Sequence, residues 1–253
     1  MVKSETRDRV ARIRFDRLDK KNAITREMYT QLAAALSAAD SNDEVRAILL
    51  HGTAECFTAG NDVNDFLKGP FGGEGSPTWQ LFKALPGLKK PIVAAVGGPA
   101  VGIGTTLLLH CDLVYAAANA RFQLPFVPLG IVPEFGSTFL LPLLAGYQRA
   151  AEVLMLGQPF SAQTAHEIGI VTAVVPQENL LQEAEKAAAT LAALPRESLR
   201  LTKRLMKQGQ AAAVAQQIKL ESGHFGERLG SPEAKEAFSA FLEKRKPDFS
   251  RFD

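Results

Sequence analysis

At 253 residues, 46% hydrophobic and 22% charged, the chain can bury one large core and lacks the polar bias of a disordered protein. A net charge of +2 is too small for a nucleic-acid surface or an anionic membrane. Neither Cys56 and Cys111 nor the four histidines (His51, His110, His166, His224) show disulfide-framework or metal-ligand spacing, so no metal site is expected.

The N-terminal MVKSETRDRV has no apolar leader core, and no uncharged apolar run reaches the roughly 18 residues of a membrane span. A cytoplasmic protein is expected. Ala11, Ile13 and Phe15 alternate with Arg12 and Arg14, which predicts a half-exposed strand. Residues 16–23 are a polar loop. Thr25 is placed to cap a helix on which Met28, Leu32, Leu36 and Ala39 share one face. Val45 to Leu50 reads as a buried strand running into HGTAECFTAGNDVNDF, and residues 68–78 read as a Gly- and Pro-rich surface loop. A short helix around Trp79 to Leu85 follows.

Residues 91–117, PIVAAVGGPAVGIGTTLLLHCDLVYAA, carry the most information. An apolar, β-branched run stops at Gly97, Gly98, Pro99, Gly102 and Gly104; a short apolar helix and a second buried strand come after. Glycines at such a junction let the backbone approach a ligand, and the first N–H groups of the helix are left without partners inside it. The same pattern also suits a tight strand-to-helix connection that binds nothing. Its spacing fits neither phosphate-loop signature. FTAGNDVNDF likewise follows a buried strand, so two neighbouring strand ends can each offer one N–H to a single oxygen, as an oxyanion hole requires.

Residues 120–146 are dense in Pro and Gly, with no element assigned. Helices are then expected over 148–156 and from a Ser161 cap to about Gly169, followed by a strand over 170–175. Four further helices are expected over 181–194, 196–208, 211–228 and 232–244. This divides the chain into a β-containing core, 1–195, and a helical region, 196–253. Leu199, Leu201, Leu205, Phe225, Phe238, Phe241 and Leu242 on the late helices need cover from the core and from a second subunit.

Taken in order, KKNAIT, FTAGNDVNDF, KKPIVAAVGGPAVGIG, CDLVYAA, LGIVPEFG and KEAFSAFLEKRKPDF resemble the crotonase, or enoyl-CoA hydratase/isomerase, superfamily over nearly the whole chain. The resemblance implies an α/β fold: a spiral core of ββα units with a C-terminal α-helical trimerisation region, assembled as a homotrimer or a dimer of trimers. It implies acyl-CoA thioester substrates, coenzyme A being part of the substrate and not a separate cofactor. It also implies an enolate held by two backbone N–H groups, which fall at Asn61 and Ile103. Asn22, Ala23, Ala59, Gly60, Asp62, Val63, Gly102 and Gly104 are then the expected substrate- and CoA-binding positions, and Lys244 and Arg245 are candidates to meet CoA phosphates.

Hydratases of that family use two glutamates, and the matching positions here are Thr106 and Phe126. A glutamate stands instead at Glu134, within IVPEFG, where hydratases usually carry glycine. That placement, with AGND and GPAVGI, is similar to the peroxisomal-type Δ3,Δ2-enoyl-CoA isomerases, whose single catalytic glutamate moves a proton. Phe135 in place of a small residue and Gly97 where asparagine is frequent depart from the pattern. Phe66, Phe126, Phe135 and Phe139 are candidates for an apolar wall around the base, and Asp62 for a loop-bracing acceptor. The rival readings are a hydratase or another crotonase activity, and a CoA-binding protein that has lost its chemistry.

Overall fold

The computed structural model describes residues 1–66 and 73–252, with only the backbone of Phe66; residues 68–72 of the loop expected over 68–78 lie outside them, and its last two, Pro77 and Thr78, are helical. Strands β1 (Val2–Arg7) and β2 (Val10–Phe15) form an antiparallel hairpin. β1 escapes the sequence reading because five of its six residues are exposed and no apolar alternation marks it. Helix α1 (Arg26–Ser41) starts where Thr25 accepts a bond from Met28 N, and its Met28, Leu32, Leu36 and Ala39 stripe is buried. β3 (Ala47–His51), α2 (Val63–Phe66) and α3 (Pro77–Ala84) follow. Then come β4 (Ile92–Val96), β5 (Pro99–Val101), α4 (Ile103–Thr106), β6 (Leu113–Ala117) and β7 (Arg121–Gln123).

The Pro- and Gly-dense stretch holds a helix after all, α5 (Ser137–Ala145), with Pro142 inside it. A proline there removes one bond to the carbonyl four residues back, which a short, otherwise leucine-rich helix tolerates. α6 (Tyr147–Leu156), β8 (Phe160–Ser161), α7 (Ala162–Glu167) and β9 (Ala173–Val175) lead to α8 (Leu180–Ala193), α9 (Arg196–Gln208), α10 (Ala211–Leu229) and α11 (Pro232–Glu243). The late helices lie within one residue of their expected bounds.

The main sheet runs β1-β2-β3-β4-β6-β9, parallel from β2 onward. The central strands β3 and β4 are buried on both faces. Ile48, Leu50, Ile92, Ala94 and Val96 join the large core under α1 and α3, while Ala47, Leu49, Val93 and Ala95 face α8. There Ala184, Ala188 and Ala192, spaced four apart, let the helix lie close to the sheet. A second, smaller sheet, β5-β7-β8, is extended by isolated parallel bridges at Thr58–Ala100 and Ile24–Asn61. After β3 and again after β4 and β6, the chain leaves the main sheet and makes a short pairing in this second layer. Those exits, at residues 57–61 and 97–103, are where the candidate site forms.

Candidate active site

Backbone pairing sets one side of the site. Thr58 N donates to Pro99 O (3.0 Å) and Val101 N to Thr58 O (3.1 Å), so the two strand exits run side by side. Gly97 and Gly98 serve this contact more than any ligand: a Cβ on Gly98, whose φ is +60, would sit 1.8 Å from Glu55 O. Gly102 differs. It caps α4 at φ +56 and ψ −118, and a Cβ added there meets nothing within 4 Å, so its open side faces free space. Among the described residues neither Asn61 N nor Ile103 N donates a hydrogen bond to the protein, and both amides are available.

Ala59, Gly60, Asn61, Val63 and Gly102 line one cavity of about 320 Å³, together with Phe126, and Phe225, Phe238 and Phe241 from α10 and α11 contribute to its lining. Four other expected binding positions stand differently. Asn22 is fully buried; its side chain accepts from Arg17 N (2.8 Å) and donates to Cys56 O and Phe57 O (both 3.1 Å), so it braces the loop. Ala23 is half-buried, its carbonyl accepting from Arg17 Nη1. Asp62 accepts from Arg17 Nη1 at 2.7 Å and from Asn64 N at 3.0 Å; burial pushes its pKa up, but the Arg17 bond and charge bring it below the usual carboxylate range. Gly104 is a packing glycine: a Cβ there would meet Thr58 Cγ2 at 2.5 Å. Arg245 is committed to Glu236 and Glu243 instead of standing free for phosphate, while Lys244 is exposed.

A buried carboxylate, Glu134, meets α4, the helix that Ile103 begins, although neither Glu134 nor Ile103 lines that cavity. Glu134 is 5% exposed, and Thr106 Oγ1, three residues beyond Ile103 on α4, donates to its Oε1 at 2.5 Å. Burial pushes the Glu134 pKa up to about 8; the Thr106 bond pulls the other way, and the Glu221 carboxylate adds to the rise. Tyr29, fully buried on α1, donates to Asn61 Oδ1 at 2.7 Å. Burial and then the Glu134 charge raise the Tyr29 pKa well above 10, so this hydroxyl lies within the field of the base while it steadies Asn61. Phe126 lines the cavity as expected of a wall residue. Phe135 does not: it is fully buried, stacked on Phe82 (centroids 4.2 Å apart) and packed on His110 (4.1 Å). Phe139 is half-buried and is not part of the cavity wall, and the Phe66 side chain lies outside the described residues.

Tyr29, His110 and Glu221 were missed from sequence. Each sits within a run that reads as ordinary helix, and its partner lies 25 to 85 residues away. Among the described residues no group of three or more His, Cys, Asp or Glu side chains could hold a metal, and no helix is long and apolar enough to cross a membrane.

Two parallel-strand exits with the Asn61 and Ile103 amides unpaired, and a buried carboxyl bonded to Thr106 on the helix that Ile103 begins, make an α/β arrangement suited to proton transfer next to an oxyanion. Residues 5–251 match the family model Enoyl-CoA hydratase/isomerase, and the chain belongs to that family of acyl-CoA enzymes, with the crotonase fold. It is 36% identical to the 1,2-epoxyphenylacetyl-CoA isomerase of Escherichia coli over 250 residues, 95% of each chain. To a probable enoyl-CoA hydratase of Bacillus subtilis it is 34% identical, over 90% of each. A solved enoyl-CoA hydratase/isomerase from Pseudoalteromonas atlantica superposes with a TM-score of 0.94 at 39% identity, covering 98% of this chain and 99% of that one.

Proposed function

We propose that this enzyme shifts the double bond of a 3-enoyl-CoA thioester to the 2 position. The observation that carries the reading is that the buried Glu134 carboxyl is hydrogen-bonded by a threonine, Thr106, at a position where the hydratase pattern calls for a second glutamate. Glu134 removes a C2 proton, made acidic by the thioester carbonyl and the neighbouring double bond. The negative charge moves to the thioester oxygen, where Asn61 N–H and Ile103 N–H receive it. The same acid returns the proton to C4, giving the 2-enoyl thioester. Each oxyanion donor contributes about 3–4 kcal/mol to the barrier reduction, and a placed base roughly 10²–10⁴-fold in rate.

Burial serves both halves of the shuttle. A carboxyl with a pKa near 8 is a stronger base than a solvated one and, once protonated, gives its proton back readily near neutral pH. The cavity supports an acyl-CoA thioester lying against Ala59, Gly60, Asn61, Val63 and Gly102. Leu143, Leu144, Tyr147, Met155 and Leu156 on α5 and α6, and Leu201, Leu205 and Met206 on α9, are large exposed apolar groups that support assembly into a trimer or a dimer of trimers.

Hydration is the second reading, favoured by the hydratase name of the Bacillus subtilis relative. Offering 3-enoyl-CoA and 2-enoyl-CoA separately and following the conjugated enoyl absorbance decides between them. Isomerisation makes the signal grow with the first substrate and leaves it unchanged with the second. Loss of signal through water addition to the second, with no conversion of the first, refutes the proposal.

A further inference from the structure

Glu134 does not stand on a regular element. It precedes two consecutive left-handed residues, Phe135 at φ +62 and Gly136 at φ +76, after which α5 begins. A left-handed phenylalanine is unfavourable by itself and persists only where its surroundings hold it. Gly136, the cap of α5, has no side chain to satisfy the free amides of the first turn.

Glu221 on α10 supplies what is missing. It is 4% exposed; its Oε2 accepts from Gly136 N at 2.5 Å, and its Oε1 accepts from Thr138 N at 2.9 Å and from the Thr138 hydroxyl. Gln217, one turn earlier on α10, donates to Thr138 Oγ1 at 2.8 Å. Burial raises the pKa of Glu221, while the hydrogen bonds it accepts from Thr138 and Gly136 pull it back towards the ionised form. From the opposite side His110 holds the Phe135 carbonyl at 2.8 Å; a carbonyl can only accept, so Nε2 carries the hydrogen.

We infer that Glu221 is a positioning residue for the reaction: by capping α5 from α10 it fixes the left-handed turn that aims the Glu134 carboxyl. The inference rests on the reading of Glu134 as the proton-transfer group. Around Glu134, α1 contributes Tyr29, whose pKa lies well above 10; α4 contributes the uncharged Thr106; and the segment after α4 contributes His110, which burial pushes down to about 4. Of these groups, Glu221 is the one whose ionised form raises the Glu134 pKa, after burial, which is the larger cause.

Two substitutions separate reach from charge. Glu221→Gln removes the charge and sets an amide N–H₂ against at least one donor. Expected are a fall in kcat of roughly 10–100-fold with KM within about threefold, and an acid limb of the pH profile moved to lower pH. Glu221→Asp keeps the charge but shortens the side chain: kcat falls while the acid limb stays. The Glu134 titration is also read directly, by carboxyl ¹³C NMR of wild type, Glu134→Gln and Glu221→Gln without substrate. That keeps the inference testable if the wild type proves not to isomerise 3-enoyl-CoA, which would refute the proposed reaction alone. Should Glu221→Gln fail to fold, Thr138→Val, which removes one of the three donors, is read in its place, with an expected fall in kcat of about 3–10-fold at unchanged KM. A lowered melting temperature with kcat and the Glu134 titration both as in wild type would overturn the inference.

Discussion

The strand exits at 58–61 and 97–103 present backbone groups, and the turn at 134–136 presents a side chain; the two are held by different means. The first is secured by backbone pairing between the two strand exits, with glycine where a Cβ has no room. The second is secured by side chains from α4, the segment after α4, and α10. An oxyanion hole of main-chain amides is thus part of the fold. The base is a tenant of that fold, kept in an uncomfortable conformation and an unfavourable protonation environment by distant residues.

The sharpest break in this comparison is Glu134→Gln, which leaves the amides in place and removes the base. Turnover should fall by roughly 10²–10⁴-fold while binding of a saturated acyl-CoA, measured by calorimetry, changes little. The same substitution should stabilise the protein at alkaline pH. The Glu134 pKa is raised in the folded state, so as pH climbs above the ordinary value of 4.5 the unfolded chain releases its proton first. Stability then declines by up to about 1.4 kcal/mol per pH unit until pH 8. The gap between the Glu134→Gln variant and wild type in chemical denaturation should therefore widen from pH 4 to pH 8 and stay constant above it. Equal slopes would refute the buried, proton-holding carboxyl.

Gly98→Ala attacks the other half. Its Cβ would overlap Glu55 O, and its φ of +60 disfavours alanine, so a loss of about 3 kcal/mol in unfolding free energy is expected, with poor folding and no change in the pH profile of the surviving enzyme. The smallest effect is expected of Tyr29→Phe, which leaves Asn61 Oδ1 without its 2.7 Å donor: about 1 kcal/mol of stability and a few-fold in kcat, since it loosens the Asn61 loop without touching the base.

The same contrast explains what could be read from residues alone. The exits at 58–61 and 97–103 were legible because glycine runs ending apolar strands are local signals, and α1 and α8–α11 because their apolar periodicity is local too. The surroundings of Glu134 were not. Glu221 looks like a solvated helix charge until α10 packs on α5, and His110 like an isolated core histidine until it meets the Phe135 carbonyl. Nothing nearby in sequence announces the left-handed φ of Phe135, whose ring stacks on Phe82 instead of forming a pocket wall. Leucine content could have marked α5, had Pro142 and the flanking glycines not argued against a helix. The late-helix apolar residues divide as packing dictates: Phe225 and Phe238 enter the core, whereas Leu201, Leu205, Phe241 and Leu242 stay exposed.

The rate of 3-enoyl-CoA isomerisation as a function of pH, in wild type and in Glu134→Gln, tests the central claim most directly. For wild type, kcat/KM should rise about tenfold per unit to a plateau near pH 8, and the variant should be slow and insensitive to pH across that range. A wild-type profile flat from pH 5 to 9, or a variant that keeps the wild-type rate, would contradict the account.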